Sequence, residues 1–199
     1  MQTTDSKRQK FIVGISGASG VVYGIRLLQM LRGLDIETHL VMSRSAQVTL
    51  TYESVLSASE VRDLADVTYA STDIGAAISS GSFKVEGMII APCSIKTLSE
   101  IATGVTSSLL TRSADVMLKE RKRLVLMVRE TPLHLGHLRS MTAVTEAGAI
   151  VYPPVPAFYA NPESIEAMVD HTLGRVLDLF NLDSKTVKRW GSQPSIPAR

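Results

Sequence analysis

Residues 11–33 read FIVGISGASGVVYGIRLLQMLRG, and the order of events in this stretch decides the fold. Phe11 to Ser16 is a short apolar run without polar alternation, as expected of a strand covered on both faces. Gly17 closes it. From Val21 the period changes, and Val21, Ile25, Leu28 and Leu31 share one helical face as far as Arg32. Strand, glycine turn and helix in direct succession make a βα unit, and the rest of the chain repeats the alternation. Glu37 to Ser43 predicts a second strand, followed by a helix from Ser45 to Glu53. The stretch to Thr72 is less regular, with a short helix around Ser59 to Asp66. Gly87 to Ala91 is a buried strand stopped by Pro92, Arg123 to Val128 another, and Ala149 to Tyr152 a last short one. Helical patterns occupy Ser94 to Ala102, Leu109 to Arg121 and Gly136 to Ala147. A long amphipathic helix opened by Pro162 runs to about Leu182. The expected class is α/β, a three-layer doubly wound parallel sheet of the Rossmann-like or flavodoxin-like kind. One domain is expected over residues 11–182, with tails at 1–10 and 183–199.

Composition excludes several functions. Of 199 residues, 45% are hydrophobic and 20% charged, with 21 Lys+Arg against 19 Asp+Glu; that balance suits a packed core and not a disordered chain. No apolar run approaches the ~18 residues of a membrane span. The net charge of +2, without aromatics interleaved among bases, carries no nucleic-acid footprint. A polar start without an apolar segment behind it and a lone Cys93 fit a cytoplasmic protein without a disulfide.

Ligands in such sheets bind at the carboxyl ends of the strands. The turn from Gly14 to Gly20 is G-x-x-G-x-x-G, neither a dinucleotide fingerprint nor a nucleotide-hydrolysing loop. Its place between strand and helix suits a phosphate held on free N–H groups, or else a glycine turn that only lets the two elements pack. The second strand ends in Ser43 where a dinucleotide enzyme wants an acid, which favours flavin mononucleotide or another monophosphate over NAD. After the other strands come Ser94-Ile95-Lys96-Thr97, a helix start with hydroxyls at both ends, and Arg129-Glu130, a permanent cation beside an ionisable acid. Arg112 and Lys119 lie two turns apart on one helix, placed to hold a doubly charged phosphate. His134 and His137 have no third ligand at metal spacing, Cys93 has no evident partner, and Trp190 reads as a packing anchor.

GISGASG (Gly14 to Gly20), APCSIKTLS (Ala91 to Ser99), LLTRSADVMLKER (Leu109 to Arg121), RETPLHLGHLR (Arg129 to Arg139) and PPVPAFY (Pro153 to Tyr159) together closely resemble the flavin prenyltransferases, the UbiX-like proteins. The resemblance runs from Phe11 to about Trp190. It implies a metal-independent transfer of the dimethylallyl group of dimethylallyl monophosphate to N5 and C6 of reduced FMN. The product, prenylated FMN, serves UbiD-type decarboxylases. On the same ground Gly17, Ala18, Ser19, Ser43, Ser94, Ile95, Lys96, Thr97 and Arg129 are expected to contact FMN, and Arg112, Lys119, Arg129, Tyr159 and Arg175 the prenyl phosphate. Glu130, Ser19 and Glu53 are expected at the reacting centre, with Trp190 helping to close it. A homo-oligomer, a dodecamer in the family, is expected to share sites between subunits. Two rival readings are a non-catalytic FMN carrier and an FMN-dependent cysteine-type decarboxylase. The second needs a histidine after the flavin turn and helix, where only His39 is available, inside a predicted strand.

Overall fold

Six parallel strands form one sheet in the order β3-β2-β1-β4-β5-β6: β1 (Lys10–Ile15), β2 (Glu37–Met42), β3 (Val67–Tyr69), β4 (Gly87–Cys93), β5 (Arg123–Val128) and β6 (Ile150–Val151). The protein is represented by a computed structural model describing residues 8–189 and 191. The helices are α1 (Val21–Gly33), α2 (Arg44–Glu53), α3 (Ala58–Arg62), α4 (Ile95–Thr103), α5 (Leu109–Lys119), α6 (Leu135–Glu146) and α7 (Ile165–Asp178). The chain divides into two compact units, Met1–Pro153, which holds the sheet, and Pro154–Arg199, which holds α7. Among the described residues no helix is long and apolar enough to cross a membrane.

Side-chain alternation sorts the strands onto two helical layers. Ile12, Met88, Ile90, Leu124 and Leu126 join Leu98, Leu109, Leu110, Ala114 and Met117 of α4 and α5 in one buried cluster. On the opposite face Ile15 meets α1, which approaches so closely that a Cβ at Gly24 would lie 2.5 Å from the Ala91 carbonyl oxygen. The side chains of Ile12, Leu28, Leu110 and Leu126 are no more than 1% exposed. Truncating any of them to alanine should cost about 2–5 kcal/mol.

Five helices start on a serine. Ser43, Ser57, Ser94, Ser108 and Ser164 stand in extended backbone at the N-caps of α2, α3, α4, α5 and α7, each accepting a backbone N–H from the first turn. Two of those caps, Ser43 and Ser94, directly follow β2 and β4, and Ser108 at the start of α5 faces the same carboxyl-edge cavity, so hydroxyls gather there.

Several boundaries differ from the sequence reading. Pro92 does not stop its strand: β4 continues to Cys93 through a register shift between Ile90 and Cys93, the kind of irregularity where a residue without an N–H is tolerated. Pro162 does not open α7, because Ser164 supplies the cap and the helix begins at Ile165 and ends at Asp178. The short helix α3 ends at Arg62, leaving room for β3, a three-residue edge strand that pairs His39–Val41 of β2.

Candidate active site

Strand order reverses between β1 and β4, the position at which an open α/β sheet forms its ligand crevice. A cavity of about 440 Å³ opens at the carboxyl edge there, within the roughly 300–1,000 Å³ of small-molecule sites. Five successive strand ends contribute to its wall: Gly17 after β1, Ser43 to Ser45 after β2, Ser71 and Thr72 after β3, Ser94 to Thr97 after β4 and Glu130 after β5. Glu100, Ser107, Ser108 and Leu110 complete it from α4 and the start of α5.

Buried Ser16 ties the two central loops together. Its hydroxyl donates to the Pro92 carbonyl at 2.9 Å and accepts the Ser94 N–H at 2.7 Å, while its own N–H donates to Pro92 at 3.1 Å. Gly17 follows in a cradle with no room for a side chain, since a Cβ there would overlap Ser45. Ser43 accepts the Ala46 N–H at 3.0 Å, and Ser94 accepts the Thr97 N–H at 3.3 Å and donates to the Thr97 hydroxyl at 3.1 Å. Lys96 is extended over the surface, paired with Glu100 at 3.2 Å. A wall rich in hydroxyls and helix N-termini, with Arg44, Lys96, Glu100 and Glu130 as its charged members and glycine where backbone must approach closely, fits a phosphorylated polyhydroxyl ligand such as FMN.

The start of α1 is not the free anion site that the glycine turn suggests. Glu53, the last residue of α2, places Oε2 2.7 Å from the Gly20 nitrogen and 3.1 Å from that of Val21, taking the N–H groups a phosphate would need. Gly20 has φ of 103°, in the left-handed region, which turns its N–H toward this carboxylate. Burial works against ionising Glu53. The Ser19 hydroxyl, the Gly20 and Val21 N–H groups and the nearby Arg129 charge outweigh it and hold the carboxyl below the usual glutamate range. Glu53, Ser19 and Arg129 thus form one electrostatic group beside the glycine turn, outside the cavity lining, whereas Glu130, next to Arg129 in the chain, belongs to that lining.

Of the other expected residues, Arg112 and Lys119 are outside the lining in a single chain. Arg112 donates to Asp115 at 2.6 Å and to the Ser79 carbonyl at 3.2 Å, and Lys119, at the far end of α5, pairs with Glu120. Ala18, next to Gly17, is likewise not part of the lining, its N–H donating to the Ser16 carbonyl at 2.9 Å. In the second unit, Tyr159 packs edge-on against His171 with ring centroids 5.8 Å apart, and Arg175 donates to Asp178 at 2.6 Å. Trp190 lies outside the described residues. Sequence reasoning missed Ser45, Ser71, Thr72, Glu100, Ser107 and Ser108; the S-x-x-T capping box from Ser108 to Thr111 was the one local signal that marked any of them.

The lesser candidates have structural employment. His134 caps α6, its Nδ1 accepting the N–H groups of Gly136 and His137 at 3.0 and 3.4 Å. Cys93 is fully buried, and burial pushes its thiol well above the ordinary range, so it is a poor nucleophile. Among the described residues no cluster of three or more His, Cys, Asp or Glu side chains has metal-binding geometry. A recess of about 530 Å³ lined by Arg8, Lys10, Phe83, Lys84 and Glu86 opens at the amino ends of β1 and β4, away from these strand ends. His39 sits inside β2 between Glu37 at 3.0 Å and the Tyr69 hydroxyl at 2.9 Å, removed from the cavity wall.

Residues 1–189 match the family model described as Flavoprotein. A flavin prenyltransferase UbiX of Escherichia coli is 59% identical over 185 residues, covering 92% of this chain and 98% of that protein. The chain belongs to the UbiX family of flavin prenyltransferases. Further UbiX relatives include a probable UbiX-like flavin prenyltransferase of Bacillus subtilis, 54% identical over 91% of this chain and 89% of its own. AnUbiX, solved in complex with FMN and dimethylallyl pyrophosphate, superposes with a TM-score of 0.93 at 50% identity, over 94% of this chain and all of that one. A dodecameric FMN-dependent UbiX-like decarboxylase from an Escherichia coli strain gives 0.90 at 46% identity, over 92% and 100%. The FMN-dependent cysteine decarboxylase TvaF, at 15% identity and a TM-score of 0.62, shares the UbiX fold alone.

Proposed function

We propose that this UbiX-family enzyme joins the dimethylallyl group of dimethylallyl monophosphate to N5 and C6 of reduced FMN without a metal, giving prenylated FMN and phosphate for a UbiD-type decarboxylase. The observation that carries the reading is the cavity into which five strand ends deliver hydroxyls, helix N-termini and Glu130, the residue next to Arg129 of the Glu53–Ser19–Arg129 group. Its likeness to AnUbiX, which was solved with FMN and a dimethylallyl donor, supports the same ligands here.

FMN supplies the nucleophilic N5 and C6 that bond the two ends of the prenyl unit as phosphate leaves. Gly17, Ser43 and the Ser94 to Thr97 segment bind and orient the flavin. Glu53, kept ionised, holds Ser19 as a hydrogen-bond donor, so the Ser19 hydroxyl can relay a proton near N5. Glu130, projecting into the cavity, takes the proton lost from C6. Arg129, with Arg112, Lys119, Arg175 and the Tyr159 hydroxyl, stabilises the departing phosphate as fixed cations and donors. Arg112 and Lys119 reach the site from a neighbouring subunit of a dodecamer, which gives a task to two cations outside the lining of their own chain.

Anaerobic incubation with reduced FMN and dimethylallyl monophosphate, with and without magnesium, followed by mass spectrometry of the flavin, tests the reading. A flavin heavier by one isoprene unit, independent of magnesium, is expected. Product only from dimethylallyl diphosphate would overturn the choice of donor, and product only with magnesium the metal independence. Bound but unmodified FMN with either donor would favour a flavin carrier.

A further inference from the structure

The second unit contains a carboxylate that the function above leaves unused. Asp178 closes α7, and its side chain is 19% exposed against 47% for Arg175 and 53% for Arg189. Both arginines converge on it. Arg175, one helical turn earlier, donates Nη1–H to Oδ2 at 2.6 Å, while Arg189 donates from Nη1 and Nη2 to Oδ2 and Oδ1, each at 3.0 Å, as a two-pronged fork.

Arg189 belongs to a segment seated along α7. Thr186 donates to the Asp170 carbonyl at 3.1 Å, His171 Nε2 pairs with the Lys188 carbonyl at 3.2 Å, and Gly174 has no side chain where Ser184, Thr186 and Val187 crowd it. A Cβ at Gly174 would come within 2.6 Å of the Thr186 hydroxyl and Val187. The seat is therefore built into α7 at several points, and Asp178 is its charged end.

We propose that Asp178 is a positioning residue for the prenyl donor, holding Arg175 in the direction from which it meets the donor phosphate and linking that direction to the seating of residues 184–189. The inference rests on Arg175 being a donor-phosphate ligand. The trio carries one negative and two positive charges, so a phosphate dianion approaching Arg175 meets a net cation. A guanidinium has five N–H donors and Asp178 takes only the Nη1–H of Arg175, which leaves the others for an anion. Should Arg175 turn fully to the phosphate, the Arg189 fork keeps the half-buried carboxylate paired, and the cost of an orphaned charge is avoided.

The test is the steady-state KM for dimethylallyl monophosphate, with kcat and FMN affinity, in R175A, D178N, D178E, R189Q and the D178N/R189Q double variant. D178N should raise the donor KM about tenfold while kcat stays within about threefold and FMN affinity is unchanged. D178E should recover most of the loss. R189Q should raise the KM in the same sense, and the double variant should be no worse than D178N alone, because Arg189 acts through Asp178. A merely structural Asp178 would change thermal stability without this split between KM and kcat. If R175A raises the donor KM but D178N and R189Q leave it within about twofold, the inference is overturned. If R175A itself leaves the KM unchanged, the assignment of Arg175 to the phosphate fails, and this inference falls with it. R189Q, at an exposed position, carries the test alone if D178N does not fold.

Discussion

Glu53 Oε2 lies 2.7 Å from the backbone nitrogen of Gly20, so the carboxylate at the end of α2 caps the start of α1. The contact makes the glycine turn a support for Ser19 and not a phosphate cradle, and it makes a single side chain responsible both for local stability and for the state of the Ser19 hydroxyl.

E53A should therefore lower stability by about 1 kcal/mol, the usual worth of an N-cap, and reduce prenyl transfer. E53Q keeps an acceptor oxygen and should retain more of the stability while losing the charge that faces Arg129. Thermal melts beside product mass spectrometry separate the two effects. E53Q matching wild type on both measures would show that the charge has no role of its own.

The same carboxylate sets an acid limit. Its folded-state pKa is depressed relative to the unfolded chain, so its contribution is complete above the ordinary glutamate range, about 4.3, and is lost as pH falls through the lower folded value. The stability difference between wild type and E53Q should be constant from neutrality to mildly acid solution and shrink below that range. A difference that instead grew on acidification would contradict the sign.

Much of this arrangement was legible in the sequence. Apolar runs without alternation at Phe11–Ser16, Gly87–Ala91 and Arg123–Val128 announce buried parallel strands, and the residues that follow them announce the cavity wall. What escaped did so for physical reasons. Val67–Tyr69 is a three-residue, half-exposed edge strand with too few side chains for a period, so Ser71 and Thr72 behind it went unread. That Glu53 takes the N–H groups of Gly20 and Val21 depends on how α2 packs beside α1, a long-range geometry that a local motif does not encode.

Glu130 is exposed in the cavity, and its carboxylate makes a local bond with the Thr131 N–H at 3.1 Å, so E130Q should fold normally. We expect it to stop after the first bond to the flavin, or to close the fourth ring at least about a hundredfold more slowly, the usual contribution of a general base. Anaerobic stopped-flow spectra and quenched mass spectrometry read this directly. Unchanged turnover to the four-ring product would remove Glu130 from proton handling.

G17A should abolish tight FMN binding and destabilise the protein by about 1–3 kcal/mol, because its new Cβ overlaps Ser45. Adding S45G removes the obstructing side chain and should return part of both losses. Flavin fluorescence titration and thermal melting suffice, and failure of the second substitution to restore anything would locate the defect in the backbone of the turn.

The proposed sharing of sites between subunits predicts complementation. K119A and E130Q should each be nearly inactive alone. After dissociation and mixed reassembly in equal amounts, about a quarter of sites should combine an intact Lys119 from one subunit with an intact Glu130 from another. Activity that stays at the level of the parents despite proven subunit exchange would mean that each chain completes its own site.

Ser16 commits its hydroxyl and its N–H to Pro92 at the end of β4 and to Ser94 just beyond it, so the two sides of the crevice floor are fastened together. That floor does not widen to suit a different guest. Changes of ligand preference, whether by drift or by design, are therefore channelled to the outer rim at Ser43–Ser45, Ser71–Thr72 and Ser107–Ser108, where serine and threonine can be exchanged without unfastening the tie between β1 and β4.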